Sequence, residues 1–504
     1  MSTTPIPSNN VSSPEEKGKK KSSLRPLWIL LAFAALIGIT LIPNDGSSLT
    51  IAGQRSLAIL AFAVILWVTE AVSYPVSSAM IIALTAVLLG LAPSTENPNK
   101  DFGTGEALKL ILGGFSNSSV ALVAAALFLA SAMQVTNLHK RLALWILSLV
   151  GTKTKNIVFG AILVSIVLAF FVPSATARAG AVVPILLGIV AAFGLANDSR
   201  LSALLVITSV QAVSIWNIGI KTAAAQNMVA LGFLNSEFGI DISWSEWFMY
   251  AAPFSILMSI ALFFIMILLI KPETNTIAGG KDIIKQQLQD LGTLKRKEVT
   301  LIITSIVLLF FWATEGKFHP FDTTTVTIVA IAFLLTPKVG VFSWKEVEKQ
   351  IPWGTIIVFA VGIALGTVLL NTGGAAWLSD TVFGSLGLNT MPILATIALV
   401  TIFNILIHLG FASATSLASA LIPVFIALAT TLPDINQIGF VLIQQFVISF
   451  GFLLPISAPQ NMLAYGTGAF TTKDFLKSGI PLTILGYLLI LLFSATYWKW
   501  IGLL

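Results

Sequence analysis

From Trp28 to Leu504 the chain is dominated by apolar stretches long enough, or nearly long enough, to cross a lipid bilayer, and this fixes its solvent. A spanning helix needs about 20 mostly apolar residues. Stretches of that character run over 27–43, 54–71, 75–93, 116–136, 156–172, 177–195, 201–220, 226–234, 247–270, 299–315, 322–337, 354–371, 391–407, 414–431, 436–456, 462–469 and 479–500. Of 504 residues, 56% are hydrophobic and 10% charged, against about 25% charged in a soluble domain. Such a chain cannot cover a surface facing water, so it is read as an all-α polytopic membrane protein. Several stretches, 226–234 and 462–469 among them, are too short to cross and lie beside polar, small or proline-containing breaks. This predicts re-entrant hairpins and broken helices, where irregular backbone lines a cavity.

The sequence also excludes several chemistries. With no cysteine, disulfides, thiolate metal sites and thiol nucleophiles are absent. The three histidines, His139, His319 and His408, are scattered, so no metal site is expected. No phosphate-binding glycine loop, GxSxG or HExxH occurs, and no enzyme activity is expected. The net charge of +6 is concentrated at Lys17, Lys19, Lys20, Lys21 and Arg25, and at Lys271, Lys281, Lys285, Lys295, Arg296 and Lys297. Both clusters flank apolar spans, the positive-inside pattern rather than a nucleic-acid patch. The reading is a multi-pass protein of the inner (plasma) membrane. It has a disordered basic cytoplasmic tail (1–26), a first unit (27–270), a cytoplasmic linker (271–298) and a second unit (299–504).

The two units share motifs in register. Trp67-Val68-Thr69-Glu70 with Pro75 recurs as Trp312-Ala313-Thr314-Glu315 with Pro320, at an offset of 245. Ser174-Ala175-Thr176 with Pro184 recurs as Ser413-Ala414-Thr415 with Pro423, at 239. Gln226-Asn227-Met228 recurs as Gln460-Asn461-Met462, at 234. One match could be chance; three in order at nearly constant offset indicate duplication. With the N-terminus and linker on one side, crossings near 27, 54, 75, 116, 201 and 247 separate them, while 156–172 and 177–195 form a hairpin. The Trp67 unit then starts on a helix running inward and the Trp312 unit on one running outward, so the repeats are inverted. That plan recurs in secondary transporters, with the site near the bilayer midplane.

The polar residues within these breaks are the candidate site. Ser174, Thr176, Ser413 and Thr415 stand where hydroxyls cap helix starts, and a helix N-terminus suits a carboxylate. Asn227 and Asn461, with neighbouring Thr222 and Ser457, lie in the broken helices, where interhelical hydrogen bonding is the plainer alternative. Arg178 and Lys221 lie in apolar surroundings. A cation there costs about 2.5–3.5 kcal/mol on the insertion scale, and a bound dianion, a distant glutamate or an interface would each answer it. Glu70 and Glu315 read better as caps or inter-domain contacts than as proton relays.

At the two Ser-Ala-Thr segments, and over Leu454–Gly468, the chain resembles the divalent anion:sodium symporter family. The resemblance extends from about Trp28 to Leu504. It implies a homodimer, a scaffold domain, and a transport domain of two hairpins and two broken helices that moves as an elevator. It also implies that Ser174, Thr176, Ser413 and Thr415, aided by the regions of Asn227 and Asn461, bind substrate carboxylates. Family members carry Asn at the centre of both hairpin motifs; here Ala175 and Ala414 stand there, removing two oxygen ligands for sodium. Fixed cations at Arg178 and Lys221 would neutralise a dianion without a sodium gradient. The expectation is therefore an exchanger of di- or tricarboxylates (2-oxoglutarate, malate, succinate, fumarate, citrate) with no cofactor. A sodium-coupled symporter, a carrier of sulfate or another inorganic dianion, and a channel or scaffold are the alternatives.

Overall fold

A computed structural model describes residues 24–504 apart from 47, 96, 152, 193, 275–279 and 434. The tail expected to be disordered falls almost wholly outside these residues. Every regular element described is a helix.

The first series comprises α1 (Arg25–Leu41), α2 (Ile51–Thr69), α3 (Tyr74–Leu84, extended by a π turn, Thr85–Leu89), α4 (Thr104–Leu112), α5 (Ser118–Thr136) and α6 (Leu138–Val150). It continues with α7 (Thr154–Phe171), α8 (Ala175–Ala191), α9 (Arg200–Gly219), α10 (Ala225–Phe238) and α11 (Trp244–Leu269). After α12 (Gly280–Asp290), the second series runs α13 (Arg296–Thr314), α14 (Thr323–Leu335), α15 (Trp344–Val347), α16 (Trp353–Asn371) and α17 (Gly374–Phe383). It closes with α18 (Ile393–His408), α19 (Ala414–Thr431), α20 (Gln437–Ile448), α21 (Pro459–Tyr465), α22 (Thr472–Ala495) and α23 (Tyr497–Trp500).

Local chemistry sets the matching ends. α8 and α19 start alike: Ser174 Oγ accepts from Ala177 N and Ser413 Oγ from Ser416 N, both at 3.3 Å. Each helix carries an internal proline, Pro184 and Pro423. α11 and α22 start with reciprocal boxes, Ser243 with Glu246 and Thr471 with Asp474, and also carry prolines, Pro253 and Pro481. Such boxes satisfy backbone N–H groups that a helix start leaves unpaired.

Among the described residues nine helices are long and apolar enough to cross a membrane. Their burial separates them: the apolar window of α9 is 100% buried and that of α13 only 33%. α9 therefore runs through the middle of the bundle, while most of α13 is left for lipid. The central packing crosses between halves. The hairpin helix α8 packs on α21 and α19 packs on α10. Gln226 Nε2 donates to Ser449 Oγ (3.2 Å), and Gln460 Nε2 to Ser214 Oγ (3.0 Å).

Five helices, α4, α6, α12, α15 and α17, fall outside the apolar stretches. α6 and α17 are short helices between a spanning helix and a hairpin, and α12 lies inside the polar linker. The linker is anchored: Arg141 of α6 ion-pairs with Glu298 at 2.7 Å and donates to Leu291 O and Gly292 O. Glu298, counted by charge as the linker's last residue, is buried in the first turn of α13.

Candidate anion site between the two hairpin tips

The tips meet at one cavity of about 820 Å³, whose wall includes Ser174, Ala175, Thr176, Ser413, Ala414 and Thr415. Gln226 and Gln460 also face it, with Asn217, Ser449, Gly451 and His408. Its exposed rim includes Glu70, Lys140 and Gln350. That is the linker end of the bundle, since Arg141 beside Lys140 holds Leu291 and Gly292. Two hairpins thus point hydroxyls and helix N-termini into one space, where hydrogen-bond donors suit an anion at either end.

The remaining expected residues lie behind this wall, not on it. Asn227 Nδ2 donates to Asn217 O (2.7 Å), Ile220 O and Lys221 O, holding the first break. Asn461 Nδ2 donates to Gly451 O (2.8 Å), holding the second. Thr222 and Ser457 are buried in the two breaks. In each half the amide reaches back ten residues to a carbonyl before the break.

The two intramembrane cations part company. Arg178 is 0% exposed. Its Nη2 donates to Asn217 Oδ1 and to Ala223 O (3.0 Å), and its Nε and Nη1 have no partner among the described residues. Asn217 itself faces the cavity, so the guanidinium stands one side chain behind the wall. Lys221 turns away: its Nζ donates to Ile242 O (2.6 Å), within electrostatic reach of Glu315, Asp241, Asp322 and Glu246. The distant-glutamate alternative describes Lys221, whereas the hydrogen-bond partners of Arg178 among the described residues, Asn217 and Ala223, are both uncharged.

Sequence reasoning missed Asn217, the acceptor that orients Arg178, because its equivalent in the second half is Gly451. It also undervalued His408, which lines the cavity and puts Nε2 3.2 Å from Ser457 O. Ser457 corresponds to Ala223, the carbonyl that receives Arg178. The two halves therefore present a nitrogen donor to the same backbone position.

Residues 23–504 match the family model described as the sodium:sulfate symporter transmembrane region. The chain belongs to this family, the divalent anion:sodium symporters. It is 50% identical over 475 residues to a protein of Cupriavidus necator named only as a membrane protein, covering 94% of this chain and 92% of that one. It is 26% identical to a sodium-dependent dicarboxylate transporter of Staphylococcus saprophyticus, covering 95% of this chain and 92% of that one. It is also 26% identical to a citrate/succinate antiporter of Escherichia coli K12, covering 90% and 94%. In fold it is similar to the crystal structure of the Alcanivorax borkumensis YdaH transporter (TM-score 0.55, 15% identity, 86% of this chain and 98% of that one).

Proposed function

We propose that this member of the family is an exchanger of di- and tricarboxylate anions such as 2-oxoglutarate, malate, succinate, fumarate and citrate. The observation that carries the reading is the fixed nitrogen donor behind each hairpin tip: Arg178 on Ala223 O and His408 on Ser457 O. A guanidinium stays charged and cannot leave with the substrate. An empty carrier would have to move that uncompensated charge through the membrane, whereas a loaded one carries it neutralised. Net uptake is then disfavoured and one anion leaves as another enters. The hydroxyls of Ser174, Thr176, Ser413 and Thr415 supply the carboxylate contacts, and Ala175 and Ala414 supply none to a sodium ion.

The chain works as a homodimer in the plasma membrane with its N-terminus cytoplasmic, and the hairpins and broken helices move as one body. The recurrence of every hairpin, break and capping box in the second series supports inverted halves and an elevator step. On this orientation the cavity faces the cytoplasm.

A sodium-coupled symporter is the second reading, favoured by one observation. Asn461 Oδ1 is buried with no partner among the described residues, while Asn227 Oδ1 accepts from Gln445 Nε2. Labelled succinate uptake into proteoliposomes separates the readings. Uptake that needs internal dicarboxylate and ignores sodium is expected. Sodium-driven uptake into empty vesicles would establish symport and refute exchange.

A further inference from the structure

The Trp-x-Thr-Glu motifs contribute nothing to the anion contacts above, yet their glutamates occupy revealing places. Glu315 stands away from the linker, where two helices begin. Its Oε2 accepts from Trp244 N (3.0 Å) and Thr323 Oγ1 (2.7 Å), and its Oε1 from Thr323 N (2.9 Å). One carboxylate thus ties the start of α14 to the start of α11, which packs along the broken helix α9. Carboxylates at helix N-termini are favoured both by free N–H donors and by the helix dipole.

Glu70 lies at the opposite end. Over its 26 residues α11 descends from Trp244 to the linker, a rise of about 39 Å, and Glu70 lines the cavity mouth at that linker end. The counterpart of the α11 start lies there too. α22 begins at Thr472 with the same reciprocal box, and its far end reaches the top of α11, where Tyr497 Oη donates to Met249 O (2.8 Å). Thr472 N is therefore to Glu70 what Trp244 N is to Glu315. Glu315 is bonded to a helix start at the end away from the linker, and its counterpart Glu70 lines the cavity at the linker end.

We infer that the two glutamates are reciprocal gate latches: Glu315 on Trp244 N holds the end away from the linker shut, and Glu70 takes Thr472 N when the linker end shuts. This rests on the transporter reading above. Each latch stabilises one facing of the carrier, so removing it shifts the balance toward the other.

The chain has no cysteine, so a single Leu127→Cys on the cavity wall reports facing through labelling by a membrane-impermeant maleimide from each side of oriented vesicles. Glu315→Ala is expected to raise labelling from the side away from the linker about tenfold, the worth of one charge-assisted hydrogen bond. Glu70→Ala is expected to lower it. Glu315→Gln and Glu70→Gln keep an acceptor and lose the charge. They should move labelling the same ways by less, and they decide the matter if an alanine variant fails to insert. Shifts in one common direction, or none, overturn the latch. If that happens while the unmodified chain still exchanges succinate, only the latch falls. If the unmodified chain neither exchanges succinate nor labels from the far side, the transporter reading falls and the latch with it.

Discussion

The two breaks that frame the cavity are built alike and charged differently. In each, an asparagine amide, Asn227 or Asn461, spans ten residues to a carbonyl before the break. In each, a nitrogen donor reaches the carbonyl just before the second helix segment begins. The first break receives a guanidinium oriented by the Asn217 side chain; the second receives an imidazole and has Gly451 in place of that side chain. The donors also come from different arms of their hairpins. Arg178 follows the first tip on α8, whereas His408 precedes the second tip at the end of α18. The two breaks share a backbone arrangement and differ in the group that each one receives. A guanidinium is a permanent charge and an imidazole is not, so the first break carries the stronger fixed positive charge.

Removing the stronger anchor tests this most severely. Arg178→Ala leaves Asn217 Oδ1 and Ala223 O without their donor and takes a permanent charge from behind the site. Losing a buried cation that faces a bound anion costs about 2–5 kcal/mol of binding, so succinate exchange should fall about a hundredfold or more while the protein still inserts. Arg178→Lys keeps the charge but ends in a shorter, tetrahedral group that does not reproduce the position of Nη2 against Asn217 Oδ1 and Ala223 O, and should recover only part. Near-normal exchange by Arg178→Ala would remove the asymmetry and the argument for exchange together.

The second anchor should matter less. His408 makes one contact, to Ser457 O, and its Nδ1 has no partner among the described residues. His408→Ala should lower exchange about tenfold, the scale of a single buried hydrogen bond. His408→Gln, which keeps an N–H donor, should restore most of it. An effect as large as that of Arg178→Ala would make the two anchors equal.

The asymmetry also explains what could be read from the sequence and what could not. The spans, hairpins and breaks were legible because apolar length and small-residue punctuation follow directly from the bilayer as solvent. The Ser174 and Ser413 caps were legible because their motifs recur in register. The helices α6 and α17 were not, since their 13 and 10 residues are too few to span and carry no repeated motif. Nor was the pairing of Arg178 with His408. Motif alignment sets Arg178 opposite Leu417, so the equivalence exists only where both side chains converge on corresponding carbonyls. Arg178 and Lys221 looked alike in sequence because both interrupt apolar runs, and a one-dimensional pattern does not say which way a side chain turns.

That last distinction gives the smallest expected effect. Lys221 Nζ is satisfied by Ile242 O and lies among the carboxylates of Glu315, Asp241, Asp322 and Glu246, away from the cavity. Lys221→Ala removes a charge that already has counter-charges, so the site's potential changes little. The loss should appear as roughly 1–3 kcal/mol of stability, the cost of leaving a buried acceptor unpaired, with exchange per folded protein within about threefold. Thermal unfolding in detergent and labelled uptake, measured on one preparation, separate the two quantities. If Lys221→Ala instead abolishes exchange at unchanged stability, Lys221 acts on the anion as its sequence position first implied. The first break would then owe its strength to two cations rather than to Arg178 alone.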